Sequence, residues 1–193
     1  MARLAYQNTA EDTGLMIGVN GKPLLIDYHE LETFHRGDSW FGCTVGFRAM
    51  QVAATTFAKT SPWSRDNLTV VSGHPGSGVK DAIDLVTQCV SAKRFRLLDE
   101  SASKACSRAM KFKWWLSDGD ITVHIKLHDN IVPDAFYQLL DRLNTNDEQV
   151  TDQDRFKQYK QDLSYQLWHQ SLDAAFNVAI LPTPLRLGEH PHA

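Results

Sequence analysis

The chain of 193 residues predicts an α+β fold: an antiparallel or mixed sheet with packed helices and a long C-terminal helix. Two kinds of pattern carry that expectation. Two stretches alternate apolar and polar residues on either side of tight-turn signals, as strands with one buried face do. Three others space apolar residues three and four apart, as helices with one buried stripe do.

Leu15 to Val19 and Lys22 to Asp27 flank Asn20-Gly21, a dipeptide suited to the positive φ angles of a hairpin turn, so the first element is two short antiparallel strands. Asp27 ends that hairpin and can cap a short helix from Tyr28 to Phe34, with Glu30 in its first turn where the helix dipole favours an anion. From Thr44, the residues Val45, Phe47, Ala49, Met50, Ala53, Ala54 and Phe57 fall near helical spacing until Ser61-Pro62 breaks the run. Leu68 to Ser72 reads as a strand and Gly73-His74-Pro75-Gly76-Ser77-Gly78 as a loop. Val79 to Cys89 reads as a helix and Phe95 to Leu98 as a strand.

Met110, Phe112, Trp114 and Leu116 alternate with polar neighbours. Ile121, Val123, Ile125 and Leu127 do the same beyond the turn Ser117-Asp118-Gly119-Asp120, predicting a second hairpin. Trp114 belongs to its buried face, and Trp115 to the other face, expected to be covered by the final helix. Pro133-Asp134 starts a helix to Asn144. Beyond a polar link at 145–149, one long helix is expected from Asp152 to Ile180, striped by Phe156, Tyr159, Leu163, Leu167, Trp168, Leu172, Phe176 and Ala179. The proline-bearing segment from Leu181 to Ala193 is expected to be a tail. Residues 1–145 then form the core domain and 146–193 a helical extension and tail.

A hydrophobic content of 42% is enough for a core, and 20 basic against 23 acidic residues give a formal charge of −3, which leaves no electrostatic footprint for nucleic acid. The amino end has no apolar signal core and no run of roughly 18 apolar residues occurs, so neither a leader nor a membrane span is expected and the location predicted is cytoplasmic. Cys43, Cys89 and Cys106 are odd in number and form no Cys-x-x-Cys pair, which makes them free thiols.

Chemistry concentrates in residues 34–48, where His35, Asp38 and Cys43 share a Gly- and aromatic-rich turn. Imidazole and thiolate suit zinc-like cations, and helix amino ends suit anions. Three stretches carry a family resemblance: Phe34-His35 with Gly42-Cys43-Thr44-Val45-Gly46-Phe47-Arg48-Ala49; Gly78-Val79-Lys80-Asp81-Ala82-Ile83-Asp84; and Thr87-Gln88-Cys89. In order and spacing they resemble the core of the FmdE family of formylmethanofuran dehydrogenase components, over residues 25–145. The resemblance implies an α+β core, an accessory role in anaerobic one-carbon or molybdenum/tungsten enzyme metabolism, a homodimer, and redox-enzyme subunits as partners. Ser77 stands where the family has a cysteine, Cys43 lies a few positions beyond the usual one, and the family's C-terminal zinc finger is missing, since no paired cysteines follow Cys106.

Three site chemistries remain open, beside a structural reading in which Cys43 is a small buried residue at a helix start, His35 a hydrogen-bonded histidine and His74 a turn residue. A divalent metal, zinc by preference, has His35, Cys43 and His74 as ligands, with Asp38, water or a ligand in fourth place. A small organic anion has the amides of Gly73 to Gly78, Ser77, Asp38 and the cation of Arg48, with Trp40 and Phe41 as an apolar wall. A free-standing hydrolase or transferase acting on a small anionic substrate has metal-bound water, or Cys43 as nucleophile with His35 as base. His124 and His128 fall on an outward strand face, and His190 and His192 in the tail.

Overall fold

Asn20 and Gly21 take φ angles of 50° and 74°, and the turn they form folds Gly14–Val19 (β1) onto Lys22–Asp27 (β2) as an antiparallel pair. The structure is a computed structural model that describes residues 13–59, 63–100, 107–145, 147–186 and 188–191. The amino end to residue 12, the helix stop at Ser61-Pro62, the thiol of Cys106 and His192 lie outside the described residues. At the end of β2 the Asp27 carboxylate accepts from the His29 amide at 2.9 Å, while Glu30 accepts from the Asp27 amide at 2.8 Å. Asp27 caps as expected, while Glu30, placed there for the helix dipole, reaches back to close a reciprocal cap, and the expected helix begins as a 3-10 turn, Tyr28–Glu30, that runs into Leu31–Phe34 (α1).

Trp40–Phe57 (α2) is buried along almost its whole length and forms the spine of the core. It begins four residues before the expected Thr44, so Trp40 to Cys43 make its first turn. Ser77–Thr87 (α3) packs against it. Behind them stands a five-stranded mixed sheet built from Thr69–Ser72 (β3), Phe95–Leu97 (β4), Lys113–Ser117 (β5), Thr122–Leu127 (β6) and Phe176–Leu181 (β7) in the order β4-β3-β5-β6-β7. β3 and β4 are parallel and the other pairs antiparallel. Trp114, Leu116, Val123, Ile125 and Leu127 project from one face of this sheet into a core shared with Phe47 and Met50. The architecture is the α+β class with packed helices that the sequence predicts.

Asp134–Leu143 (α4) leads to Asp152–His169 (α5), and a bidentate pair from Arg142 to the buried Asp152, at 3.0 and 2.9 Å, fixes the corner between them. The expected single helix to Ile180 ends at His169. After the short Leu172–Ala175 (α6), residues Phe176 to Leu181 form β7, in register from Leu127↔Phe176 to Thr122↔Leu181. Val178 and Ile180 suit a strand, and the open edge of β6 offers backbone partners that a continued helix would leave unpaired. Leu163, Leu167 and Phe176 lie in the same core as the rest. α5 packs on α2 and α4, while Trp115, on the opposite sheet face from Trp114, stacks on His124 with ring centroids 4.5 Å apart. Among the described residues, no helix is long and apolar enough to cross a membrane.

Candidate functional site

Two helices can lie this close only where side chains are missing from the contact. A Cβ built on Gly42 would touch Val79 and Gly78, and one on Gly46 would touch Val79 and Ala82, so contacts advance along both helices together. α2 and α3 therefore run parallel with their N-termini side by side. Gly78 is the closest point: a Cβ there would stand 2.8 Å from the Cys43 amide nitrogen and 3.1 Å from Cys43 Sγ. The two sequence-distant segments thus converge, at the ends where each helix has free first-turn amides and about half a positive charge.

His35 lies at the bottom of this junction, 5% exposed. Its Nδ1 is 2.6 Å from Asp81 Oδ2, and its Nε2 accepts the Ser39 amide N–H at 3.2 Å. With Nε2 accepting, the Nδ1 proton is the one donated to Asp81. Trp40 packs edge-on to the imidazole at 5.4 Å and stays partly exposed. Above the pair, the Ser77 hydroxyl donates to the Ser39 hydroxyl at 3.3 Å. Ser39 is the residue before the first turn of α2.

Cys43 is fully buried, and burial, reinforced by the Asp81 carboxylate, pushes its thiol up to about 12. It is a thiol at neutral pH, which removes the electropositive, accessible setting a cysteine nucleophile requires. His74 is turned elsewhere: its Nδ1 accepts the Gly76 amide N–H at 3.0 Å, its ring packs on Phe112 at 4.8 Å, and burial lowers it to about 4. The expected trio His35, Cys43 and His74 is therefore not gathered. Among the described residues, no three His, Cys, Asp or Glu side chains form a group that could hold a metal.

The remaining expected residues divide. Ser77 is at the junction, and Asp38 is exposed on the turn that leads to it. Arg48 lies inside the core, donating to Gln51 Oε1 and to the Gln170 carbonyl at 2.7 Å each and sitting 5.2 Å from the Trp168 ring. It ties α2 to the end of α5 rather than facing the junction. Phe41 is likewise a core residue, between Phe112 and Phe136. His124 and Lys126 do share the outward face of β6, and His128 follows the strand, bonded to Asn177.

Asp81 and Ser39 were not among the expected site residues. Ser39 carried a signal, because serine is a preferred residue at a helix start. Asp81 carried only its place one turn into α3.

No protein-family model matches the chain, and no curated protein matches it.

Proposed function

We propose that this chain is an accessory binding protein, resembling the FmdE family, whose small ligand sits where the N-termini of α2 and α3 meet. The observation that carries it is the contact of buried His35 with the partly exposed Asp81 at 2.6 Å, beside the paired hydroxyls of Ser39 and Ser77. Hydroxyls and first-turn amides of two parallel helices suit the oxygens of a small carboxylate. The divalent-metal form of the same proposal is supported by the Asp81 contact on Nδ1, which is how a carboxylate orients a metal-ligating imidazole. In that form zinc would have to displace the Ser39 amide from His35 Nε2, and Cys43 would join it only on losing its thiol proton.

Association with anaerobic one-carbon or molybdenum/tungsten enzyme metabolism and redox-enzyme subunits as partners rest on the motif stretches, and a cytoplasmic location belongs to the same proposal. A homodimer is supported by β7, an edge strand on which Val178 and Ile180 are 44% and 47% exposed. The competing function, a hydrolase or transferase using Cys43 as nucleophile, has the burial and raised thiol pKa of Cys43 against it.

Calorimetric titration of the purified chain with sodium formate and, separately, with zinc chloride tests the proposal. Saturable binding of at least one probe is expected, weakened about tenfold or more by His35→Ala, and for formate also by Ser77→Ala. Absence of binding by both, or a folded His35→Ala variant that binds as the wild type does, overturns it.

A further inference from the structure

At one end of the β5–β6 ladder, the chain leading into β5 and the end of β6 frame a cavity of about 360 Å³. Its lining includes Lys111, Lys113, Lys126 and His128, with Asp129 as the carboxylate present, while Phe112 and Tyr137 give it an aromatic wall. Lys113 and Lys126 are directly opposed across the β5–β6 ladder. Like charges so placed destabilise a sheet unless something negative lies between them. Asp129 answers Lys126 alone, 2.8 Å away, and leaves the lysine cluster about two charges in excess in a chain whose formal total is −3.

The neighbouring residues of the same face repeat the imbalance. Lys113 Nζ stands 4.9 Å over the ring of Trp115, which is 1% exposed and stacks on His124 with the ring planes 3° apart. Among the described residues, Trp115 Nε1 and His124 Nε2 are both buried without a hydrogen-bond partner, and so are Nε and one terminal nitrogen of Arg96, which shares their row through Val71. Buried polar atoms of this kind are rare in folded proteins, and Lys113, whose ammonium lies over Trp115, connects this row to the cavity lining. Desolvation and the two neighbouring lysines lower the Lys113 pKa, which agrees with an unneutralised cluster.

We propose that this cavity is a second binding site, taking a small organic phosphate monoester. Its two negative charges match the excess of the lysine cluster, its several oxygens can accept from lysines on both strands, and the partly exposed Tyr137 can pack against the organic part. At about 360 Å³ the space admits a small metabolite and no more. The site is independent of the His35–Asp81 junction.

Titration of the intact chain with phenyl phosphate, with phenol as the uncharged control, tests the assignment. Saturable binding of phenyl phosphate is expected, weakened about tenfold or more by Lys113→Gln and by Lys126→Gln, restored toward wild type by Lys113→Arg, and unchanged by His35→Ala. Circular dichroism confirms that each variant is folded. Failure of the wild type to bind, phenol binding as tightly as phenyl phosphate, or wild-type affinity in both glutamine variants overturns the assignment.

Discussion

Replacing Gly78 by alanine measures the helix junction directly. The added methyl would stand 2.2 Å from the Ser39 carbonyl oxygen and 2.8 Å from the Cys43 amide nitrogen, both backbone atoms of the neighbouring helix start. Neither can rotate away, so the helices must separate, at a cost of about 1–3 kcal/mol typical of overpacking. Alanine in a helix returns roughly 0.5–1 kcal/mol relative to glycine, and because the clash is with backbone at 2.2 Å the cost lies toward the upper end, leaving a net loss of up to about 2.5 kcal/mol. In a chain of this size that lowers the melting temperature by up to about 10 °C. The other two contact glycines grade the effect, since a Cβ at Gly46 would come to 3.0 Å from Ala82 Cβ and one at Gly42 only to 3.3 Å from the Val79 nitrogen. Thermal melts followed by circular dichroism should rank Gly78→Ala as most damaging, Gly46→Ala next and Gly42→Ala least. A Gly78→Ala protein that melts at or above wild type refutes the close parallel packing and, with it, the joined N-termini.

Three further outcomes follow from buried groups. His74, lowered from 6.5 to about 4, is neutral when folded and protonates more readily when unfolded. Its contribution is complete above pH 6.5, declines as pH falls toward 4 and amounts to about 3 kcal/mol over that window. Urea midpoints of His74→Gln against wild type across the window should show the decline removed. Asp152, held at about 2 by Arg142 against an ordinary 3.8, contributes stability above 3.8 that is lost as pH falls through 2, and Asp152→Asn should abolish that acid limb in the same measurement. Cys43 and Cys89 are fully buried with raised thiol pKa values, so peptide mapping after iodoacetamide should find neither modified in the native protein and both modified in urea. Rapid native labelling of Cys43 would contradict its burial.

Local chemistry explains which parts of the fold were legible. Asn20-Gly21, the Asp27–Glu30 cap and the alternation around 117–120 act over a few residues, and each element appears where those residues place it. Phe176 to Leu181 carries two incompatible periods: Leu172, Phe176 and Ala179 fit a helix, whereas Val178 and Ile180 fit a strand. Only the edge of β6, distant in sequence, decides between them. The site divides in the same way. A shared metal site for His35, Cys43 and His74 requires the two loops to meet, and they do, but Asp81 binds His35 across 46 positions, a relation with no local pattern. Arg48 looks like a surface cation by type, yet its acceptor is a carbonyl 122 positions away at the end of α5. His74 looks like a ligand by type, yet its own turn uses the ring nitrogen.

The fifth strand sets the order in which the sheet can be completed. Its residues follow β6 only after α4, α5 and α6 and pair along the full length of β6, so during synthesis β6 waits with open backbone amides until those three helices have been made. A product stopped after Ala175 would keep that bare margin permanently, and extended segments of other chains would be its nearest substitutes.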